Sequence, residues 1–330
     1  MYTVTSLLLS HDQDKYSRCF QKIVSIFSSH PFYTQYVRQS SAHDPVPSQI
    51  KSNPDFYPFF KDAIGVMGGH HFPIKPPATE RKFYRWKNYD GYWHSCIFAT
   101  SFDGSFLFSF AGLHGSETDA NVFEFAHEDG LIIPEGKYYL AHTGYPLCNE
   151  LLTPYRGVRY HLSEWADGSV CAFPHICDTN VYYDVPRPAN AKELFNFRHA
   201  LACKDVDHTF RVLKSRFRIL LLPSDSCSMD IQVRIPAALC CLHNFILTHD
   251  AEEGDLFEDD YVPDLYDDTH GSEVPAGKEE GSAIMARRDH VAQEMWEEHQ
   301  RVLCQECDIE PNELDAYLQV DTDDTSTTSS

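Results

Sequence analysis

Tyr92-Trp-His-Ser-Cys-Ile-Phe-Ala-Thr-Ser-Phe102 and Ser105-Phe-Leu-Phe-Ser-Phe-Ala111 flank Asp103-Gly104. Both runs are apolar and aromatic, and Asp-Gly is a strong turn signal, so the stretch predicts an antiparallel hairpin. Upstream, Ala63-Ile-Gly-Val-Met67 is a short apolar run stopped by Gly68-Gly69. It predicts a buried strand ending in a tight turn. Downstream, Ser116 or Thr118 can cap a helix that runs through Ala126, and Lys137–Ala141 reads as a further strand closed by Gly144-Tyr145-Pro146. Residues 147–188 read as loop. Long helices follow, from about Ala191 to Phe217 and from Ile231 to Leu247, with Pro236 marking a first turn or a break. This order predicts an α/β domain: a mixed sheet flanked by helices, with an extended insertion before the last of them.

The flanks read differently. Residues 6–37 look helical, with Phe20, Ile23, Val24 and Phe27 on one face. Pro54–Phe60 is aromatic and turn-like. Residues 73–88 carry Pro73, Pro76 and Pro77 among Lys75, Arg81, Lys82, Arg85 and Lys87, a basic irregular loop. The chain has 330 residues and a net charge of −22. Bulk charge of that sign argues against a nucleic-acid partner, but the charge is uneven: −20 belongs to residues 251–330 and only −2 to residues 1–250. Residues 251–281 read as an acidic disordered linker. Residues 282–307 read as a C-terminal helix anchored by Trp296, and 308–330 as a disordered acidic and Ser/Thr tail. The expected organisation is thus a helical segment at 1–52, a body at 53–250, then linker, helix and tail.

No apolar run is expected to span a membrane, and Thr3–Ser10 reads as a helix start, not a signal peptide. The eleven cysteines are scattered, which points to reduced thiols and an intracellular protein. Cys304 and Cys307 form a lone CxxC with no second pair to complete a zinc site.

Several words, in order, carry a family resemblance. They are Asn53-Pro-Asp-Phe-Tyr-Pro-Phe-Phe-Lys-Asp-Ala-Ile-Gly65, Gly115-Ser-Glu-Thr-Asp-Ala-Asn-Val122 and Tyr138-Tyr-Leu-Ala-His-Thr-Gly-Tyr-Pro146. Then come Leu151-Leu-Thr-Pro-Tyr-Arg-Gly-Val-Arg-Tyr-His161, Glu193-Leu-Phe-Asn-Phe-Arg-His199, Val212–Leu220 and Leu242-His-Asn-Phe-Ile246, with Arg287-Arg288-Asp289 and Met295-Trp296 at the end. Over roughly residues 15–300 the chain resembles the Harbinger-type transposases, whose DDE superfamily endonuclease domain has an RNase H-like fold.

The resemblance implies phosphodiester cleavage and strand transfer by two divalent metals, magnesium or manganese, held ~3.5–4 Å apart by carboxylates. Gly68 stands where the family has its first aspartate. Two positions compete for the second acid: Asp119, and His142 before the Gly-Tyr-Pro turn. Asp207 stands where the final glutamate is expected, one methylene shorter. Asp119 and Asp207 are therefore the candidate catalytic and metal-binding residues, and Gly68 and His142 the degenerate positions. Asp119 reads equally well as a helix N-terminal acid complementing the dipole. His70 or His71 could ligate a softer metal, or simply face solvent.

The resemblance also implies DNA as partner. Lys204, Arg211, Lys214, Arg216 and Arg218 on the long helix could form a phosphate-binding face together with the 75–87 loop, or a solvated face paired to Asp205 and Asp207. Of the helix-turn-helix expected upstream only Tyr16-Ser17-Arg18-Cys19-Phe20 echoes, so a separate DNA-binding partner protein is implied; the expected location is nucleus or cytoplasm, and the resemblance favours the nucleus. The function expected is a DDE-type transposase or endonuclease domain that is catalytically impaired. The alternative is an active metal-dependent DNA nuclease using Asp119 and Asp207 with substitute ligands.

Overall fold

The computed structural model describes residues 3–86, 90–162, 165, 188–222, 227–250 and 282–306, with side chains undescribed at 3–14, 205, 207 and 306. The acidic linker and tail expected at 251–281 and 308–330, and Cys307 of the CxxC, lie outside the described residues. The expected hairpin forms β2 (Trp93–Thr100) and β3 (Phe106–His114), joined by a turn in which Gly104 takes a positive φ of 84°. It pairs with β1 (Ala63–Pro73), and β4 (Tyr138–Ala141) and β5 (Leu151–Leu152) add on the other side. The sheet order is β3-β2-β1-β4-β5, antiparallel across β1, β2 and β3 and parallel from β1 to β4 to β5.

β1 departs from the expected turn. It does not stop at Gly68-Gly69 but continues to Pro73, with Gly68 opposite Phe98 and Gly69 opposite Ile97. The ladder hydrogen bonds to β2 outweigh the weak strand propensity of glycine. Gly65 has a packing reason: a Cβ there would lie 2.2 Å from the Thr100 carbonyl oxygen. The helix expected over 6–37 is two helices, α1 (Thr3–Phe27) and α2 (Phe32–Tyr36), because Pro31 lacks the donor that would continue the first.

Strand alternation sorts the core into two layers. On one face Val66, Phe72, Phe98, Tyr138 and Leu140 pack with α5 (Ala191–Arg216), α7 (Ile235–His249) and the short α3 (Ser48–Ser52). On the other face Met67, Ile97, Ala99, Tyr139 and Ala141 pack with Val122, Phe123 and Ala126 of α4 (Asp119–Glu128). Thr118 caps α4, accepting from the Asn121 amide. The N-terminal helices and α8 (Ser282–Glu306) join the first layer, through Val24, Val37, Ala292 and Met295. Arg198 of α5, its side chain 5% exposed, bridges Asp55 at 2.9 Å and Glu298 of α8 at 3.0 Å. The segments on either side of 53–250 thus contribute to the same core.

Met229–His249, comprising α6 (Met229–Gln232) and α7, is long and apolar enough to cross a membrane by length and composition alone, contrary to the expectation that no run is. Its Ile235, Ala238, Cys240 and Cys241 fill the protein core. Pro236 sits in the first turn of α7, where its missing N–H costs no helical bond. The eight cysteines among the described residues are all free thiols.

Asn244 of α7 ties the helices to the sheet. Its side-chain oxygen accepts from the Phe106 amide at 2.9 Å, and its amide donates to the carbonyls of Phe106 at 2.7 Å and Tyr36 at 2.8 Å. Asn244→Ala strands buried backbone groups at both ends. It should lower unfolding stability by about 2–4 kcal/mol, read as a shifted denaturant midpoint with an unchanged slope.

Candidate functional site

Alternation places Val66, Gly68, His70 and Phe72 on the α5 side of β1. His70 packs on Phe210 of α5 as a tilted pair, with ring centroids 3.7 Å apart and an interplanar angle of 31°. It is therefore half-buried against an aromatic surface and not beside a solvent-facing turn. His71 points to the other side and stacks on Trp86 at 4.0 Å and 11°. Gly68 is buried, yet a Cβ built on it would meet only His70 Nε2, at 3.9 Å. Nothing steric requires glycine there. Gly69 is the opposite case: its Cβ would lie 3.0 Å from the Tyr145 hydroxyl and 3.1 Å from Asp119 Oδ1.

That contact locates Asp119. It opens α4, on the face of Met67, Gly69 and Tyr145, whereas Gly68 and α5 share the opposite face. Asp119 and Gly68 are not brought together. Beside Asp119, burial pushes the Tyr145 phenol well above its usual range, and the Asp119 charge adds to the shift.

His142 follows β4 and lies on the α5 face. Its Nδ1 is 3.2 Å from the Tyr160 hydroxyl, which is 3.2 Å from Nδ1 of His199 on α5. Nε2 of His199 is 3.0 Å from the Leu152 carbonyl oxygen. Burial pushes the His199 pKa down to about 3, with the neighbouring His142 and Arg288 acting the same way against the Leu152 bond. A neutral His199 must donate from Nε2 to Leu152, so its Nδ1 accepts from the Tyr160 O–H. The Tyr160 oxygen in turn accepts from His142 Nδ1–H. The hydrogen-bond chain assigns the His142 tautomer. Sequence reading missed Tyr160 and His199; His199 falls four residues after Phe195 and four before Cys203, a helical spacing that signals an inward-facing side chain.

Asp207 lies in α5 between Cys203 and Phe210, both packed in the core, and its own side chain is outside the described residues. Lys204, His208 and Arg211 recur on one stripe of that helix and Arg211 is exposed; Arg218, expected on the same helix, lies beyond its end in a 3-10 turn (Arg218–Leu221), where it is exposed. Arg216 is not on that surface: its Nη1 donates to His243 Nδ1 at 3.3 Å, while His243 Nε2 donates to the Gly104 carbonyl at 3.2 Å. Arg216 thereby links α5, α7 and the hairpin turn.

Among the described residues, Gly68, His142 and Asp119 do not make a two-metal carboxylate centre. Gly68 has no side-chain donor, His142 presents an imidazole whose Nδ1 already serves Tyr160, and Asp119 belongs to the other face. Among the described residues no three His, Cys, Asp or Glu side chains gather as a metal site.

A family model described as DDE superfamily endonuclease matches residues 67–244, from β1 through α7. No curated protein and no solved structure matches the chain significantly.

Proposed function

Since this chain belongs to the DDE superfamily endonuclease family, we propose that it is a transposase-derived protein that holds DNA without cutting it. Enzymes of this family act on DNA and generally depend on divalent metals. Gly68 carries the reading. It occupies the position where the resemblance expects the first metal-binding aspartate, and packing does not demand a glycine there. Loss of that carboxylate, with His142 in place of a second acid, leaves magnesium or manganese without the oxygen ligands it needs. The strand order, with α5 across one face, supports an RNase H-like fold, and the ordered sequence words support a Harbinger-type origin. A nuclear location and a separate DNA-reading partner fit the same origin.

DNA contact rests on Lys204, Arg211, Lys214 and Arg218, with the 75–87 loop adding further bases. If those four residues each meet a phosphate, affinity should fall roughly 100-fold between 50 and 200 mM salt. A supercoiled plasmid incubated with the full chain and magnesium or manganese should stay intact while being retarded on a gel at low salt. Nicking that Asp119→Ala or Asp207→Ala abolishes would sink the reading in favour of an active nuclease.

A further inference from the structure

The connection from β1 to β2 and the far end of β3 bring flat rings and cations to one corner of the sheet. A 3-10 turn at Arg81–Phe83 leaves the Phe83 ring 42% exposed. One face of that ring lies parallel to the His114 imidazole, with centroids 4.9 Å apart and 15° between planes. The Lys82 ammonium is 4.6 Å from the centre of the same ring, and the Arg81 guanidinium is 5.6 Å from that of Tyr92. Arg85 is exposed beside Trp86. Between Lys75 and Trp93 the sequence holds five bases against Glu80 and Asp90, a local excess of +3 in a chain of net −22.

We propose that this corner is a platform for single-stranded DNA, which rests on the DNA-binding reading above and gives the 75–87 loop of that reading a ligand of its own. A duplex presents phosphates to a protein but keeps its base faces stacked on one another. An exposed ring flanked by cations is wasted on such a ligand. An unpaired base has a free π-face and a phosphate on either side, and it needs both features at once. Stacked on Phe83, it would extend the column that His114 begins. Lys82 and Arg81 would then turn from the rings to the neighbouring phosphates, with which they pair as full charges. The surface reads no sequence, because every base offers a stacking face.

The test is fluorescence anisotropy of the full chain with labelled (dT)20 and with a 20-base-pair duplex. Phe83→Ala should weaken (dT)20 binding roughly 5- to 100-fold and leave duplex binding within twofold, while Phe83→Tyr keeps the ring and the affinity. Arg211→Ala should show the reverse pattern. Duplex binding without (dT)20 binding, or (dT)20 binding indifferent to Phe83→Ala, overturns the platform and leaves the DNA reading standing. No binding to either probe at low salt overturns both. Phe83 lies at the surface, so circular dichroism of the variants should match that of the parent.

Discussion

Moving the protein from pH 7 to pH 5 should cost on the order of 5 kcal/mol of unfolding stability. Three histidines carry the effect. Burial holds His94 and His199 down to about 3 and His243 to about 4, against an ordinary value of 6.5. His71 adds to the shift at His94, and Arg216 adds to it at His243. Each group is neutral in the folded protein and can protonate in the unfolded chain. The unfolded state therefore binds more protons as pH falls below about 6.5, and stability drops by up to ~1.4 kcal/mol per pH unit per histidine until the folded values are reached. Above pH 7 the three contribute no slope. Their hydrogen bonds supply a structural reason for neutrality: His199 and His243 each donate to a backbone carbonyl and accept at the other nitrogen. A loss of this size is comparable to the whole stability of an ordinary domain, so the acid transition should be cooperative. Guanidinium midpoints measured at pH 7, 6 and 5 check it; an unchanged midpoint would mean that these residues are already charged or exposed.

The second large effect is a gain. Gly68→Asp combined with His142→Asp should raise manganese affinity at least ~100-fold, since even groups that only support a metal ligand are worth 10- to 100-fold. Position 68 accepts a side chain, because a Cβ there meets only His70 Nε2, at 3.9 Å. An aspartate at 142 loses the bond to Tyr160, but Tyr160 still donates to His199. The double variant should therefore fold with a loss of about 1 kcal/mol from that bond. Weakened folding with no gain in metal affinity would show that position 68 does not face a site where carboxylates can converge.

The hairpin was legible because the alternation and Asp103-Gly104 are local signals, and so were α5 and the Thr118 cap. Gly68-Gly69 misled, because glycine pairs mark turns in isolation, and only the partner strand β2 decides that the backbone runs straight. The site was less legible than the fold. A word such as Gly115–Val122 fixes that Asp119 opens a helix, but not which face of the sheet the helix covers. That depends on the crossover from β3 to β4. The same limit applies to Arg216, which is basic in the sequence but turned toward His243. The link from His142 through Tyr160 to His199 joins three separate segments, and no spacing within any one of them announces it.

The proposed loss of the metal centre turns on position 68. Manganese titration of the full chain, followed by electron paramagnetic resonance beside the Gly68→Asp/His142→Asp variant, tests this most directly. The parent should show no saturable site at millimolar metal, and the variant a saturable one. Tight binding by the parent, removed by Asp119→Ala or Asp207→Ala, would contradict it.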